Sequence, residues 1–122
     1  MTISQIRSIN IFGIPFQVSF VKEIPDPNVI IDGQINESLK TIDICLNSED
    51  IMSESLIHEY IHGSLYVSGI SQLISQELNE SICHCLTNSI IQLCKINLNG
   101  VALKVSSKKK ISTVIKPINI TK

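Results

Sequence analysis

Apolar and polar residues alternate along the first part of the chain with the period of two that is typical of β-strands. Residues 8–20 contain two such runs separated by Gly13, and Phe16 and Val18 lie on the apolar face of the second run. Alternation interrupted by a glycine predicts a hairpin with one side facing the core. We therefore expect the chain to begin with a two-stranded hairpin.

Two more short strands are predicted after a proline-rich break at residues 25–28, where each proline fixes φ and lacks a donor. The first strand covers residues 34–36 and is followed by a turn at residues 37–40. The second covers residues 41–46. Its alternation places Ile42, Ile44 and Leu46 on the inner face, or the opposite set if the register slips by one residue.

The spacing of apolar residues then changes to three and four, which predicts two helices. Residues 47–50 form a good helix start, with a capping side chain and two carboxylates, and Gly69 suits the end of this first helix. The second helix is predicted over residues 74–96 and closed by residues 99–100. The pattern indicates an α+β fold, with a small antiparallel sheet packed on two main helices. The apolar stripe of the second helix comprises Leu78, Ile82, Cys85 or Leu86, Ser89, Leu93 and Ile96.

The first helix contains the motif His-Glu-x-x-His at residues 58–62. Residues four apart lie on one face of a helix, so His58 and His62 can direct their imidazoles at one metal ion. Glu59 lies beside the first histidine, where its carboxylate can take a proton from a metal-bound water. The motif therefore predicts two zinc ligands and a general base.

A catalytic zinc ion needs three protein ligands and one open position, so the second helix must supply the third. The first helix continues about five residues past His62, and about five residues separate the start of the second helix from Glu80. An antiparallel return therefore brings Glu80 level with His62. Glu77 lies nearer the loop, and His84 lies one turn beyond. Both remain alternatives, His84 either as a ligand or as a donor to a developing oxyanion.

The two ligand segments resemble those of a known class of enzymes. His58, Glu59 and His62 followed by a helical glutamate are similar to the gluzincin plan of zinc peptidases. Residues 80–83 resemble the third-ligand segment of small ImmA/IrrE-like and related phage-encoded metallopeptidase domains, with Cys83 where alanine is usual. The resemblance covers roughly residues 8–94. It implies a zincin-like fold, zinc as cofactor, a peptide or protein substrate, and an edge strand before the metal helix that lines the substrate cleft.

The length and composition fit one compact domain. The chain has 122 residues, of which 43% are hydrophobic and 17% charged. Residues 1–100 are predicted to form the zincin-like domain, and residues 101–122 a basic tail or late strand. No apolar run reaches 18 residues, which argues against a membrane span. Since the first residues do not resemble a secretion signal, the expected location is the cytoplasm.

Net charge and cysteine content help to rank the possible functions. The net charge of −1 gives no general attraction to nucleic acid, and the lysines at 108–110 lack aromatic neighbours on which bases stack. Nucleic-acid binding through the tail is thus the weakest of three hypotheses. The four cysteines are expected to be reduced packing residues.

Two stronger hypotheses remain. The first is a minimal zinc metallopeptidase, with His58, His62 and Glu80 as ligands and Glu59 as base. The second is a non-catalytic binding or inhibitor protein, for example of a phage or mobile element, with a structural or degenerate zinc site. The first is the leading hypothesis, but a chain of 122 residues has little surface for substrate subsites once its core is buried, which makes the second a serious alternative.

Overall fold

The computed structural model describes residues 2–26 and 31–108, and for residues 96–108 it describes the backbone alone. Packing divides the chain into two compact units, Met1–Asn88 and Ser89–Lys122. All four strands, the first helix and the start of the second helix belong to the first unit. Every contact that defines the site below lies within it.

The α+β class is confirmed. The strands are β1 (Ser8–Ile11), β2 (Ile14–Val21), β3 (Gly33–Asn36) and β4 (Thr41–Cys45), and they form one sheet in the order β1-β2-β4-β3. The main helices are α1 (Glu49–Val67) and α2 (Gln76–Lys108). Short 3₁₀ turns precede β1 and follow α1.

The predicted hairpin forms with a two-residue turn. Ile11 pairs with Ile14, and Phe12 and Gly13 between them both have positive φ, 51° and 82°. Two consecutive positive φ values match the right-handed twist of the flanking strands. The alternation also places the core correctly, because Phe16 and Val18 are buried.

The sheet is mixed, so the prediction of an antiparallel sheet was wrong in one pairing. β1 and β3 are antiparallel to their neighbours, but β2 and β4 are parallel, with Val18 opposite Ile42. From β2 the chain crosses to the far edge, forms β3, and returns beside β2 as β4. Alternation indicates which face of a strand is buried, but it carries no information about direction or partner. The strand before α1, β4, is consequently internal, and the edge strands are β1 and β3.

α1 begins and ends as its sequence predicts. The Ser48 hydroxyl accepts a hydrogen bond from the backbone N–H of Ile51, and Glu49 and Asp50 occupy the first turn near the positive end of the helix dipole. Gly69, with φ of 85°, lies just past the end of the helix.

One side of α1 packs on the sheet and completes the hydrophobic core. Met52 and Leu56 join the buried strand residues there. Gly63 allows the closest approach, since a Cβ atom at that position would lie 2.5 Å from Ile11 Cδ1 and 3.0 Å from Ile35 Cδ1. This contact fixes α1, and therefore the motif next to Gly63, against β1 and β3. The buried residues of the core cluster are Ile11, Phe16, Val18, Ile42, Ile44, Met52 and Leu56.

α2 differs from its prediction in length and in the side that is buried. It starts after Ser75, whose hydroxyl accepts from the N–H of Leu78, but it continues to Lys108 instead of closing at residues 99–100. The segment 101–103, considered for a late strand, is therefore helical. The buried positions are Asn79, Cys83 and Thr87, whereas the predicted stripe is largely exposed, including Leu78, Leu86 and Leu93.

None of the helices among the described residues has both the length and the apolar character needed to cross a membrane. The proline break at residues 25–28 is described only in part, and the second proposed late strand at 111–120 and most of the lysine-rich tail lie outside the described residues.

Candidate metal centre

α1 places the two motif histidines side by side. His58 and His62 are one turn apart, their ring centroids are 4.9 Å apart, and the rings meet edge to face at 72°. Both side chains are mostly buried. The helix backbone and the surrounding packing therefore hold both imidazoles in place without a metal, as a preorganised ligand pair requires.

α2 brings the Glu80 carboxylate between these imidazoles. Glu80 Oε1 lies 3.5 Å from His58 Nε2, and Oε2 lies 3.3 Å from His62 Nε2. These separations exceed the usual length of a charge-assisted hydrogen bond, about 2.7–2.9 Å. Ligand atoms about 2.0–2.1 Å from a tetrahedral zinc ion lie about 3.3–3.4 Å from one another, so each of the two histidine–glutamate separations is close to that of two ligands of one ion, with a different oxygen of Glu80 facing each imidazole.

A third imidazole adjoins the group from α2. His84 Nε2 lies 3.9 Å from Glu80 Oε1, and the His84 ring is 4.8 Å from that of His58. Among the described residues, the group whose ligand atoms all lie within 4.8 Å of one another is His58, Glu80 and His84, so this trio can hold a metal ion as the side chains stand, whereas His62 adjoins it through Glu80 Oε2. His84 is 71% exposed, whereas His62 is 11% exposed. His62 is thus the more deeply buried of the two, and His84 lies at the open side.

Glu59 is the buried carboxyl group of the site. The residue is only 7% exposed, and burial raises its pKa to about 7, with further contributions from the negative charges of Glu80 and Glu37. Its side chain nevertheless lines the cleft in front of the histidines. A carboxyl group with a pKa near neutrality is suited to accepting and returning a proton.

The protonation state of His58 also suits metal binding. Burial lowers its pKa, and the imidazoles of His62 and His84 lower it further, against the opposing effect of Glu80. At neutral pH the ring is therefore uncharged, the form in which histidine binds metal ions.

The site opens into a cleft of about 670 Å³ between α1, α2 and the edge strand. β3 forms one wall and approaches closely at Gly33, where a Cβ atom would lie 3.4 Å from Glu59 Cγ. Several residues that line the cleft were not predicted from the sequence. Glu54 and Thr87 could have been found from their helical spacing to His58 and Glu80, but no local signal marks Gly33 or Glu37. The additional polar lining residues include Asp32, Glu37, Glu54, Ser55, Thr87 and Asn88.

The remaining candidates lie outside the metal group. Glu77, an alternative third ligand in the sequence analysis, is exposed and does not line the cleft. Cys83 is fully buried, its thiol lies 3.6 Å from Asn79 Oδ1, and burial raises its pKa to about 12. A thiol that stays protonated is a poor metal ligand. All four cysteines are free. Cys83 is buried and Cys45 is partly buried, as expected for packing residues, but Cys85 and Cys94 are exposed.

Comparison of the chain with protein-family models, curated proteins and solved structures finds no match. The metal-binding interpretation therefore depends on the distances, burial and chemistry of these side chains.

Proposed function

We propose that this protein is a zinc-dependent metallopeptidase. The observation that carries the proposal is the group formed by His58, His62 and Glu80, whose closest donor atoms are separated by 3.3 and 3.5 Å, with the buried Glu59 carboxyl group beside them in a cleft. This combination supplies three protein ligands, an accessible side and a base.

We assign the ligands from their positions on the helices and from the burial of their side chains. His58 and His62 come from adjacent turns of a helix that the core holds in place, and Glu80 offers one oxygen to each. Zinc, when bound there, would polarise a substrate carbonyl and lower the pKa of a water molecule. His84, at the open side, is placed to donate a hydrogen bond to the oxyanion that develops on the attacked carbonyl.

Glu59 would act as the general base. Its burial makes the carboxylate more basic than an exposed glutamate, so it can remove a proton near neutral pH. A dication nearby acts in the opposite direction and moderates this basicity. The same carboxyl group can then return the proton to the leaving amine.

The edge strand supports a peptide as the substrate. Among the described residues β3 pairs with β4 alone, so its other backbone edge has no strand partner there, and the strand lines the cleft that contains the metal group. An extended peptide can add to such an edge through main-chain hydrogen bonds. The substrate class that we propose is therefore an extended segment of a peptide or protein. We place the activity in the cytoplasm, as free cysteines suit a reducing compartment.

The proposal can be tested with purified, zinc-loaded protein and a peptide library. The wild type should cleave peptides, whereas Glu59→Gln should retain zinc by elemental analysis and lose about 10²–10⁴-fold in rate, the usual contribution of a general base. Failure of the wild-type protein to bind zinc would refute the assignment.

One observation favours a non-catalytic alternative. If His84 joins His58, His62 and Glu80, the ion has four protein ligands, and closed shells of that kind are structural. The protein would then be a binding or inhibitor protein with a structural zinc site. This alternative predicts that the wild type and Glu59→Gln give identical peptide digests although both proteins contain zinc.

A further inference from the structure

The cleft around the metal group is strongly acidic. Five carboxyl groups line it, whereas no lysine or arginine is among the lining residues. Two of the five, Glu59 and Glu80, belong to the proposed machinery, and their charges would be balanced by one zinc dication. The other three are Asp32, Glu37 and Glu54. None of these three carboxylates forms an ion pair within 4.0 Å in the described part of the chain, although the Lys40 ammonium donates a hydrogen bond to the backbone carbonyl of Glu37.

Glu54 lies at one end of the cleft, on the same face of α1 as His58 and one turn before it. That spacing puts its carboxylate about one helical pitch, roughly 5.4 Å, from the metal group along α1. The four-carbon stem of a lysine can bridge such a distance from a peptide backbone held at the metal. An acidic group here is therefore within reach of a substrate side chain next to the scissile bond.

The walls at this end carry further polar groups that a cation can use. Ser55 and Thr87 are buried, and both line the cleft together with Asn88. Because the His84 ring lies 4.8 Å from that of His58, the next turn of an antiparallel α2, with Thr87 and Asn88, comes level with Glu54 and Ser55. The Thr87 hydroxyl has no hydrogen-bond partner among the residues that the structure describes, although Thr87 is only 3% exposed. Burying a hydroxyl without a partner is unfavourable, so an unused hydrogen-bonding group at the wall of a cleft indicates a place for a polar ligand.

We propose that the Glu54 end of the cleft, with Ser55, Thr87 and Asn88, is a subsite for the cationic side chain of a lysine or arginine in the bound peptide. This inference deepens the proposed function, on which it rests, by naming the class of substrate residue. The carboxylates of Asp32 and Glu37, which line the same cleft, add to the attraction of cationic peptides at longer range and disfavour acidic ones.

Binding to a zinc-loaded Glu59→Gln protein tests the subsite without depending on turnover. The probes are blocked, fluorescently labelled peptides of uncharged residues that differ at one position, which holds lysine, norleucine or glutamate. Norleucine has a similar apolar stem without the charge. By fluorescence anisotropy we expect the lysine peptide to bind about tenfold more tightly than the norleucine peptide, and the glutamate peptide to bind most weakly.

Two further substitutions, each made in the Glu59→Gln protein, locate the effect. Adding Glu54→Gln should reduce the preference for lysine to less than about twofold, since it removes the carboxylate and keeps the size. Adding Glu77→Gln is the matched control, because it removes the same charge from an exposed residue outside the cleft and should leave the preference unchanged. Equal binding of the lysine and norleucine peptides, a preference that survives Glu54→Gln, or no binding of any peptide would each overturn the subsite.

A parallel digest with the zinc-loaded wild type separates this inference from the proposed function. Selective binding of lysine peptides without cleavage leaves the subsite and refutes the peptidase. Cleavage with no preference for cationic residues near the cut leaves the peptidase and refutes the subsite.

Discussion

The two sides of α1 follow different packing rules. Toward the sheet, Met52 and Leu56 pack in a closed apolar core, and Gly63, which lacks a side chain, allows the helix to contact the sheet closely. Toward the cleft, the same helix presents His58, Glu59 and His62 to the Glu80 carboxylate and to open space. The first side stabilises the fold, while the second keeps ionisable groups close together at some cost in stability. A rigid packed side is what allows the other side to remain open and polar.

The largest effect should come from removing the carboxylate that links α2 to the two imidazoles. Zinc sites in small domains bind with about 10–16 kcal/mol shared among four ligands, or about 2.5–4 kcal/mol for each, so Glu80→Ala should weaken zinc binding by roughly two to three orders of magnitude. Competition with a chelator measures this affinity. Glu77→Ala, which removes an exposed glutamate one turn earlier on α2, is the matched control and should change little.

The same titration distinguishes the two possible shells. His62→Ala should weaken zinc binding nearly as much as Glu80→Ala, whereas His84→Ala should cost less than tenfold, since its ring is exposed and farther from Glu80. The opposite order would assign the ion to His58, Glu80 and His84.

The cost of the polar side can be measured in metal-free protein. The pKa of Glu59 is raised from its usual value to about 7, so the folded state favours the protonated form. Its contribution to stability is fully present below pH 4.5 and is lost as the pH rises toward 7. At pH 8, Glu59→Gln should therefore increase the free energy of unfolding by about 2–3 kcal/mol.

Denaturant unfolding in the presence of a chelator checks this expectation. At pH 4 the glutamate is protonated in both states, so the two proteins should have nearly equal stability. Comparing the variant with the wild type at each pH removes the separate contribution of His58, whose lowered pKa destabilises the fold as the pH falls below 6.5. A variant that is no more stable at pH 8 would contradict the burial of an unfavourable charge.

The smallest expected effect concerns the packed side. Gly63→Ala adds a methyl group 2.5 Å from Ile11 Cδ1 in a core without free space. Overpacking costs about 1–3 kcal/mol, and the better helix propensity of alanine returns up to about 1 kcal/mol, so we expect a net loss of about 1 kcal/mol.

A double substitution identifies the contact responsible. Ile11→Val removes the Cδ1 atom and alone should cost about 0.5–1.5 kcal/mol. Combined with Gly63→Ala it should cost less than the sum of the two, because each change compensates the other. Strict additivity in thermal or denaturant unfolding would show that the helix shifts instead.

The sequence predicted those features of the fold that depend on local signals, and it failed for those that depend on contacts between distant residues. Alternation located β1 and β2, and capping residues located both ends of α1, because these signals are local. The position of β4 beside β2 was not predictable, since pairing partners are chosen through contacts distant in sequence. For α2 the apolar stripe pointed to the wrong side, because Asn79, Cys83 and Thr87 face inward while Leu78 and Leu86 are exposed.

The candidate site shows the same division. The helical period brought His58 and His62 together, and counting residues through the loop placed Glu80 beside them, so these elements could be predicted. The acidic wall could not, because Asp32 and Glu37 reach the cleft only through the position of β3 at the sheet edge.

An open strand edge is also a hazard, since it can recruit a second copy of the chain and start aggregation. β3 limits that risk through its make-up. It has four residues, begins with a glycine, and exposes Gln34 and Asn36, so a long apolar ribbon cannot grow from it. Lengthening this strand to gain peptide affinity would therefore be expected to lower solubility before it improved recognition.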